Sequence, residues 1–260
     1  MTALADIKKY IFLLGGMDLE MKTIAKLLKK NNLAYHDKHL KWGAKLSSYQ
    51  QTFNDFNVFV GVELEQDVDP PIHYINIDHH NEHADLPCSL QQVAELLGKK
   101  LTSFQKLICA NDSGYIPAME TAGATPKQVM RIRKADRKAQ GVTELEEILG
   151  KEAIERGMAV FGEFKTVYTL GTKFSPIVVL LYPYSQLLVY NACELTYFGR
   201  DALKIVEYIR QKYPVDWFFS GGGVHGFFGL KHKVLQNQQL FDFKDKLQTL
   251  IITKEYYGTF

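Results

Sequence analysis

Apolar positions in the first half of the chain follow two alternating rhythms. Tyr10–Leu14 is a short continuous apolar run that predicts a buried strand. Gly15-Gly16 turns the chain behind it, and Asp18 stands where a helix N-cap belongs. Met21, Ile24, Ala25 and Leu28 then recur at i, i+3, i+4 and i+7, the spacing of one helical face. Asn57–Leu64 and Ile72–Ile77 predict two further strands. Ser89-x-x-Gln92 has the form of a capping box, with Leu90, Val93, Ala94 and Leu97 as the stripe behind it and Gly98 as its stop. Phe104–Ala110 fits a strand or the end of a helix and leads into Asn111-Asp112-Ser113-Gly114. Strands alternating with helices predict an α/β fold, a mostly parallel sheet with helices on both faces.

The pattern then changes twice. Thr125-Pro126 opens a helix made basic by Lys127, Arg131, Arg133, Lys134, Arg137 and Lys138 against only Asp136, and such a charge run most often forms a solvated face. More helix follows over Glu144–Met158, so residues 125–160 read as a helical connector. Beyond it Thr166–Gly171, Ile177–Tyr182 and Leu187–Cys193 predict consecutive strands, the last two a hairpin through Pro183-Tyr184-Ser185. Asp201 predicts the cap of a helix carrying Leu203, Val206 and Ile209. Trp217-Phe218-Phe219 then runs into Ser220-Gly221-Gly222-Gly223-Val224-His225-Gly226. The expected organisation is a first domain over 1–124, the connector, and a smaller α/β domain over 161–260.

Composition narrows this picture without redirecting it. The 260 residues are 46% hydrophobic and 23% charged, an ordinary globular balance. A net charge of +2 is too small to argue for nucleic acid by itself. Three cysteines, Cys88, Cys109 and Cys193, form no CxxC pair, which argues against a disulfide framework or a zinc site and fits a reducing cytoplasm. Lys8 and Lys9 precede too short an apolar run for a signal peptide, and no segment approaches the roughly 20 apolar residues that cross a bilayer. A soluble cytoplasmic protein is expected.

The candidate chemistry lies where apolar runs end. Acidic residues stand just past four of them: Asp18 with Glu20, Glu63 with Glu65, Asp78 with His79-His80, and Asp112. Parallel strands would bring such ends to one sheet edge, where ligands of open α/β sheets bind. Carboxylates crowded there repel one another unless a cation sits between them, and carboxylate plus imidazole suits Mn²⁺ or Mg²⁺. Each residue also has a plainer reading. Asp18 is equally a simple helix cap, Glu63 and Glu65 mark a solvated strand end, and Asp78 and Asp112 make ordinary turns. Tyr35, Trp42 and Tyr49 beside Lys38, Lys41 and Lys45 could stack and neutralise nucleotides, although aromatics are usually core.

Together these motifs resemble the DHH phosphoesterase superfamily, and the second half resembles its DHHA1-type companion domain. Asp78-His79-His80 is similar to the naming motif, Asp112-Ser113-Gly114 to an Asp-Thr-Gly motif after a later strand, and Asp18-Leu19-Glu20 to an Asp-x-Asp motif after the first strand. Ser220–His225 resembles the GGGH loop, with Val224 inserted. The resemblance implies a metal-dependent phosphoesterase acting on a small phosphodiester, a nucleotide or a short oligonucleotide between two domains, with a homodimer open. It implies that Glu63 bridges two Mn²⁺ or Mg²⁺ ions, that His79 and Asp112 with help from Glu20 hold one, and that Asp18 holds the other. It makes His80 a phosphate-facing donor or general acid, Asp78 the residue that orients the histidines, and Gly221, Gly222, Gly223 and His225 the substrate grip. The pattern departs at Leu14, where the family has a histidine, and at Glu20 and Glu63, where it has aspartates. One or two ions, and binding with or without turnover, therefore both stay open.

Overall fold

A computed structural model describes residues 9–41, 43–80, 83, 85–220, 225–231 and 237–257. The chain divides into two units, Met1–Gly141 and Val142–Phe260. The stretch expected as a connector is thus split between them.

Unit 1 is built on a parallel sheet of β1 (Tyr10–Leu14), β2 (Ala34–Asp37), β3 (Val58–Val62) and β4 (Tyr74–Ile77), in the order β2-β1-β3-β4. Alternation along the strands feeds two cores. Phe12, Leu14, Val60, Val62 and Ile77 face α1 (Leu19–Lys30), α2 (Ser89–Leu96) and α3 (Ser103–Thr121). Leu13 and Phe59 face the other way, against Leu46 and Tyr49 of a 3₁₀ helix, Leu46–Thr52. Helix α4 (Pro126–Ala139) completes the unit, packing on α1 and α3. Its N-terminus is the expected one: the Thr125 hydroxyl and the Gln128 side chain form a capping box, with Pro126 in the first turn.

Unit 2 holds α5 (Glu144–Arg156), β5 (Met158–Phe161), β6 (Phe164–Tyr168), α6 (Ser175–Leu180), β7 (Gln186–Tyr190), β8 (Glu194–Arg200), α7 (Ala202–Lys212), β9 (Phe218–Ser220), β10 (His225–Lys231) and α8 (Asn237–Thr253). Its mixed sheet runs β5-β6-β7-β8-β10-β9, with only β6 and β7 parallel. Leu188, Tyr197, Trp217 and Phe228 meet Ile205, Ile209, Leu247 and Leu250 in its core.

Several expectations are corrected. Ile177–Tyr182 is no strand, and the hairpin through Pro183 does not form. Pro176 opens helix α6 there, and Ile177, Val178 and Val179 are all buried, so a short apolar run did not reveal its period. Strands β2, β5, β8, β9 and β10 went unpredicted; β2 alternates only weakly, and the helix expected through Met158 ends at Arg156, where Gly157 leads into β5. Ser89 makes no capping box, since Cys88 is the N-cap of α2 and Gln92 Nε2 donates to the Asp78 and Pro87 carbonyls. On α7, Leu203 is exposed while Ala202, Ile205, Val206 and Ile209 face inward, and Asp201 accepts from the Tyr257 hydroxyl rather than capping with its side chain. Cys88 and Cys109 come together as a buried disulfide pair, Cα–Cα 5.6 Å, because α2 and α3 pack side by side. The odd count and missing CxxC pair argue against a disulfide framework; one pair forms, and Cys193 stays free.

Candidate metal centre

The strand order places the site. From β1 the chain crosses to β2 on one side, while β3 lies on the other, so the sheet has its topological switch between β1 and β3. At the C-terminal end of that pair, the Gly15 N–H donates to the Val62 carbonyl at 2.9 Å. A Cβ on Gly15 would lie 2.1 Å from the Glu63 carbonyl oxygen, so only glycine permits this approach. Glu63 follows β3 directly with φ of 54°, a left-handed conformation costly for a side chain of this kind. Its N–H is tied to the Ile77 carbonyl at 2.8 Å, which locks the ends of β3 and β4 together.

Four side chains converge there. Nε2 of His79 lies 2.8 Å from Asp112 Oδ2, 3.5 Å from Glu63 Oε1 and 3.8 Å from Glu20 Oε2. One ligand atom from each of the four fits within 4.8 Å of the others. Glu20 is almost fully buried, and its Oε1 accepts the Leu90 N–H at the start of α2 at 3.0 Å. That contact fixes the carboxylate and leaves Oε2 for the centre. Glu20 Oε2, Glu63 Oε1, His79 Nε2 and Asp112 Oδ2 are all buried without a well-formed hydrogen bond. The 2.8 Å approach of His79 to Asp112 therefore has ion-pair distance but not hydrogen-bond direction.

Asp112 reaches the centre by an unexpected route. It lies inside α3, not beyond a strand, and the helix kinks just after it, at Gly114 and at Tyr115 with φ of 59°. Phe104–Ala110 is accordingly helix. Asp18 is the N-cap of α1, Oδ1 accepting the Met21 N–H at 2.8 Å. It lies outside the group of four but borders it: a Cβ on Gly16 would lie 3.3 Å from Asp18 Oδ2 and 3.5 Å from Glu63 Oε2. Leu14 is fully buried among Phe12, Met21 and Ile24 and offers the site nothing.

Asp78 makes the turn after β4. Its Oδ1 accepts the His79 N–H at 2.7 Å, the His80 N–H at 2.9 Å and the His80 ring Nδ1 at 2.9 Å. The plain turn reading and an orienting role thus coexist in one carboxylate. The His80 side chain is 42% exposed, and Glu63, His79 and His80 form a second group at ligand spacing. Gly221, Gly222 and Gly223 lie outside the described residues, as does Trp42; His225 opens strand β10. Glu65 is exposed, and Tyr49 is wholly buried rather than displayed for stacking.

The electrostatics describe a centre short of positive charge. Burial, then the charges of Asp112 and Glu63, hold the Glu20 carboxyl well above its usual range. Burial, then Glu63, Asp112 and Asp136, pushes Asp18 up to about 7, and burial also raises Asp112. Burial would raise Glu63 too, but contacts with His79 and the His80 charge bring it below the ordinary value. His79 shows the same competition: burial pulls it down, while Asp112 and Glu63 outweigh that and lift it to about 10. The bond to Asp78 raises His80, and Asp78 itself falls despite burial because of His80 and the two backbone N–H groups. Three carboxylates and an imidazole around a common point, each with an unpaired atom turned inward, fit a hard or borderline divalent cation.

Sequence reading missed the support around the site. Leu90 supplies a backbone N–H to Glu20, and Arg133, Asp136 and Arg137 are buried on α4, which its charge alone marks as solvated. The signal was present in their spacing, since 129, 132, 133, 136 and 137 follow one helical face.

No protein-family model and no curated relative matches the sequence. Among solved structures, the DHH domain of a protein described as a member of a ribosomal protein family is 10% identical, with a TM-score of 0.52 over 96% of this chain and 88% of its own. A pGpG-specific phosphodiesterase, PggH from Vibrio cholerae, is 14% identical with a TM-score of 0.46, covering 95% of this chain and 98% of that one. RecJ from Thermus thermophilus in complex with Mn²⁺ is 12% identical with a TM-score of 0.48, covering 95% of this chain and 53% of RecJ. The fold is that of DHH-domain proteins.

Proposed function

We propose that the protein is a divalent-metal-dependent phosphoesterase whose centre in unit 1 hydrolyses a small phosphodiester or a short oligonucleotide. The observation that carries this reading is the convergence of four buried ligand atoms, none in a hydrogen bond, at the switch point of a parallel sheet. Glu20, Glu63, His79 and Asp112 would hold Mn²⁺ or Mg²⁺, with Asp18 beside Glu63 as the candidate for a second ion. When bound, such an ion polarises a phosphoryl oxygen and lowers the pKa of a water. The chain supplies the rest. His80 is presented at the exposed side of the centre, its ring fixed through Nδ1 by Asp78, so Nε2 is left to donate a proton to a phosphate or leaving oxygen. Asp78 holds both histidine N–H groups and thereby the turn that aims them. Gly221, Gly222, Gly223 and His225 are proposed substrate contacts on the strength of their motif.

Leu14 favours a second reading, in which the centre binds phosphate or a nucleotide without turnover. Its full burial in the core leaves the Asp18 side one ligand short of the family pattern. Hydrolysis of bis(p-nitrophenyl) phosphate and of a dinucleotide, with and without Mn²⁺, separates the two. Metal-dependent release that vanishes in Asp78→Ala, His79→Ala supports the enzyme. Equal rates in the wild type and that variant leave binding alone.

A further inference from the structure

Unit 1 contains a second buried polar cluster, and it touches both helical arms of the metal centre. Nη1 of Arg133 donates to Asp136 Oδ2 at 2.7 Å and to Asn111 Oδ1 at 2.8 Å. Oδ1 of Asp136 accepts the Leu19 N–H at 3.1 Å, and Gln140 Nε2 adds a contact to Oδ2 at 3.2 Å. The Arg133 guanidinium lies over the Tyr115 ring, 3.8 Å from its centroid. Arg133 is 2% exposed, Asp136 3% and Asn111 6%.

The placement of these contacts is what matters. Leu19 stands between Asp18 and Glu20. Asn111 immediately precedes Asp112, and Tyr115, at the left-handed kink of α3, follows it by three residues. The cluster therefore grips a backbone N–H on the α1 side beside Glu20, and on the α3 side the Asn111 side chain before Asp112 and the Tyr115 ring after it. Both grips come from a single helix, α4, that contributes no ligand of its own. Stability does not explain such a pair, because a buried ion pair is often no better than well-packed apolar residues of the same volume. A planar, permanently charged fork that bonds two partners while stacking on an aromatic ring does explain the choice of arginine.

We propose that the Asn111–Arg133–Asp136 chain is a positioning device that holds the Glu20 and Asp112 arms at ligand distance; this rests on the metal-site reading above. Its residues touch neither metal nor substrate and act on the chain neighbours of Glu20 and Asp112: the Leu19 N–H, the Asn111 side chain and the Tyr115 ring. Outer contacts of this kind typically change metal affinity by about 10- to 100-fold.

The test is isothermal titration of Mn²⁺ into the full-length protein, paired with the EPR line shape of the bound ion. Asn111→Leu and Arg133→Met are expected to weaken binding by roughly 10- to 100-fold and to alter the line shape. Arg133→Lys, which keeps the charge, is expected to fall closer to wild type than Arg133→Met. Val129→Ala, a buried apolar change one turn earlier on α4, is expected to lower the unfolding midpoint and leave affinity and line shape unchanged. Wild-type affinity in both Asn111→Leu and Arg133→Met overturns the proposal, as does an equal loss in Val129→Ala. A wild-type protein that binds no Mn²⁺ overturns the site reading itself, and the proposal with it.

Discussion

The two units bury polar groups of different kinds. Among the described residues, unit 1 buries the charged Glu20, Arg133, Asp136 and Arg137 beside the neutral Ser89 and Asn111, whereas the buried polar side chains of unit 2 are Thr166, Thr169, Gln186, Asn191 and Thr196, all neutral. Asn191 shows the second pattern. Its amide donates to the Gly171 carbonyl at 2.9 Å, and its oxygen accepts the N–H groups of Cys193 and Glu194 at 2.7 Å each, so a loop is closed and both polar atoms are bonded. Glu20 shows the first pattern: one oxygen is used, and the other points unpaired at three further ionisable groups. Burying charge costs more than burying a neutral polar group, so a fold that, among the described residues, buries charged side chains in one unit and only neutral ones in the other sets the two units apart.

The largest expected effect is on rate. His80→Ala should reduce phosphodiester turnover by about 10²- to 10⁴-fold while leaving Mn²⁺ affinity within a small factor, and steady-state kinetics beside a metal titration checks it. Asn191→Ala in unit 2 should leave both unchanged; a comparable rate loss there would break the contrast between units. The second effect is on pH. Protons held by Asp18 up to about 7 and by His79 up to about 10 must leave before these atoms can ligate, so Mn²⁺ affinity should rise with pH. The rise should be up to about tenfold per unit for each proton displaced, read from titrations at pH 6, 7 and 8.

Stability should then respond in opposite directions. The Glu20 carboxyl is raised in the folded state, so the folded form of the metal-free protein is penalised above the ordinary carboxylate range, and the penalty grows as pH rises toward the folded value. Glu20→Gln removes that penalty while keeping an acceptor for the Leu90 N–H. It should raise the metal-free unfolding midpoint at pH 7 and lower the gain from added Mn²⁺. Asn191→Ala removes the buried bond to the Gly171 carbonyl and the acceptor of the Cys193 and Glu194 N–H groups, and should cost about 1–3 kcal/mol with or without metal. Differential scanning calorimetry, run metal-free and with Mn²⁺, reads both signs. The smallest test is chemical: with Cys88 and Cys109 paired, the denatured, unreduced protein should expose one reactive thiol, Cys193.

Much of the site was legible because strand ends are punctuated. Tyr10–Leu14, Gly15-Gly16 and the Asp18 cap could be read in order, and so could the strand that delivers Asp78-His79-His80. Asp112 was legible as a residue but not in its setting, since a kinked helix and a strand end give the same local text of apolar run, acid and glycine. The cluster on α4 was hidden for a physical reason. Charge in a sequence predicts solvent, and only the helical spacing of Arg133, Asp136 and Arg137 with Val129 and Ile132 shows that they turn inward. Ile177–Val179 failed in the opposite sense, because a wholly buried run carries no period. The pairing of Cys88 with Cys109 depends on how α2 meets α3, which spacing does not encode.

The central claim is that the four inward atoms hold a cation. Equilibrium titration of metal-free protein with Mn²⁺, followed by EPR, addresses this directly against Glu63→Gln and His79→Ala. The expected result is saturable binding in the wild type, weakened by more than the roughly 100-fold that an outer contact would cost in each variant. Binding that is absent from the wild type, or unchanged in both variants, would contradict it.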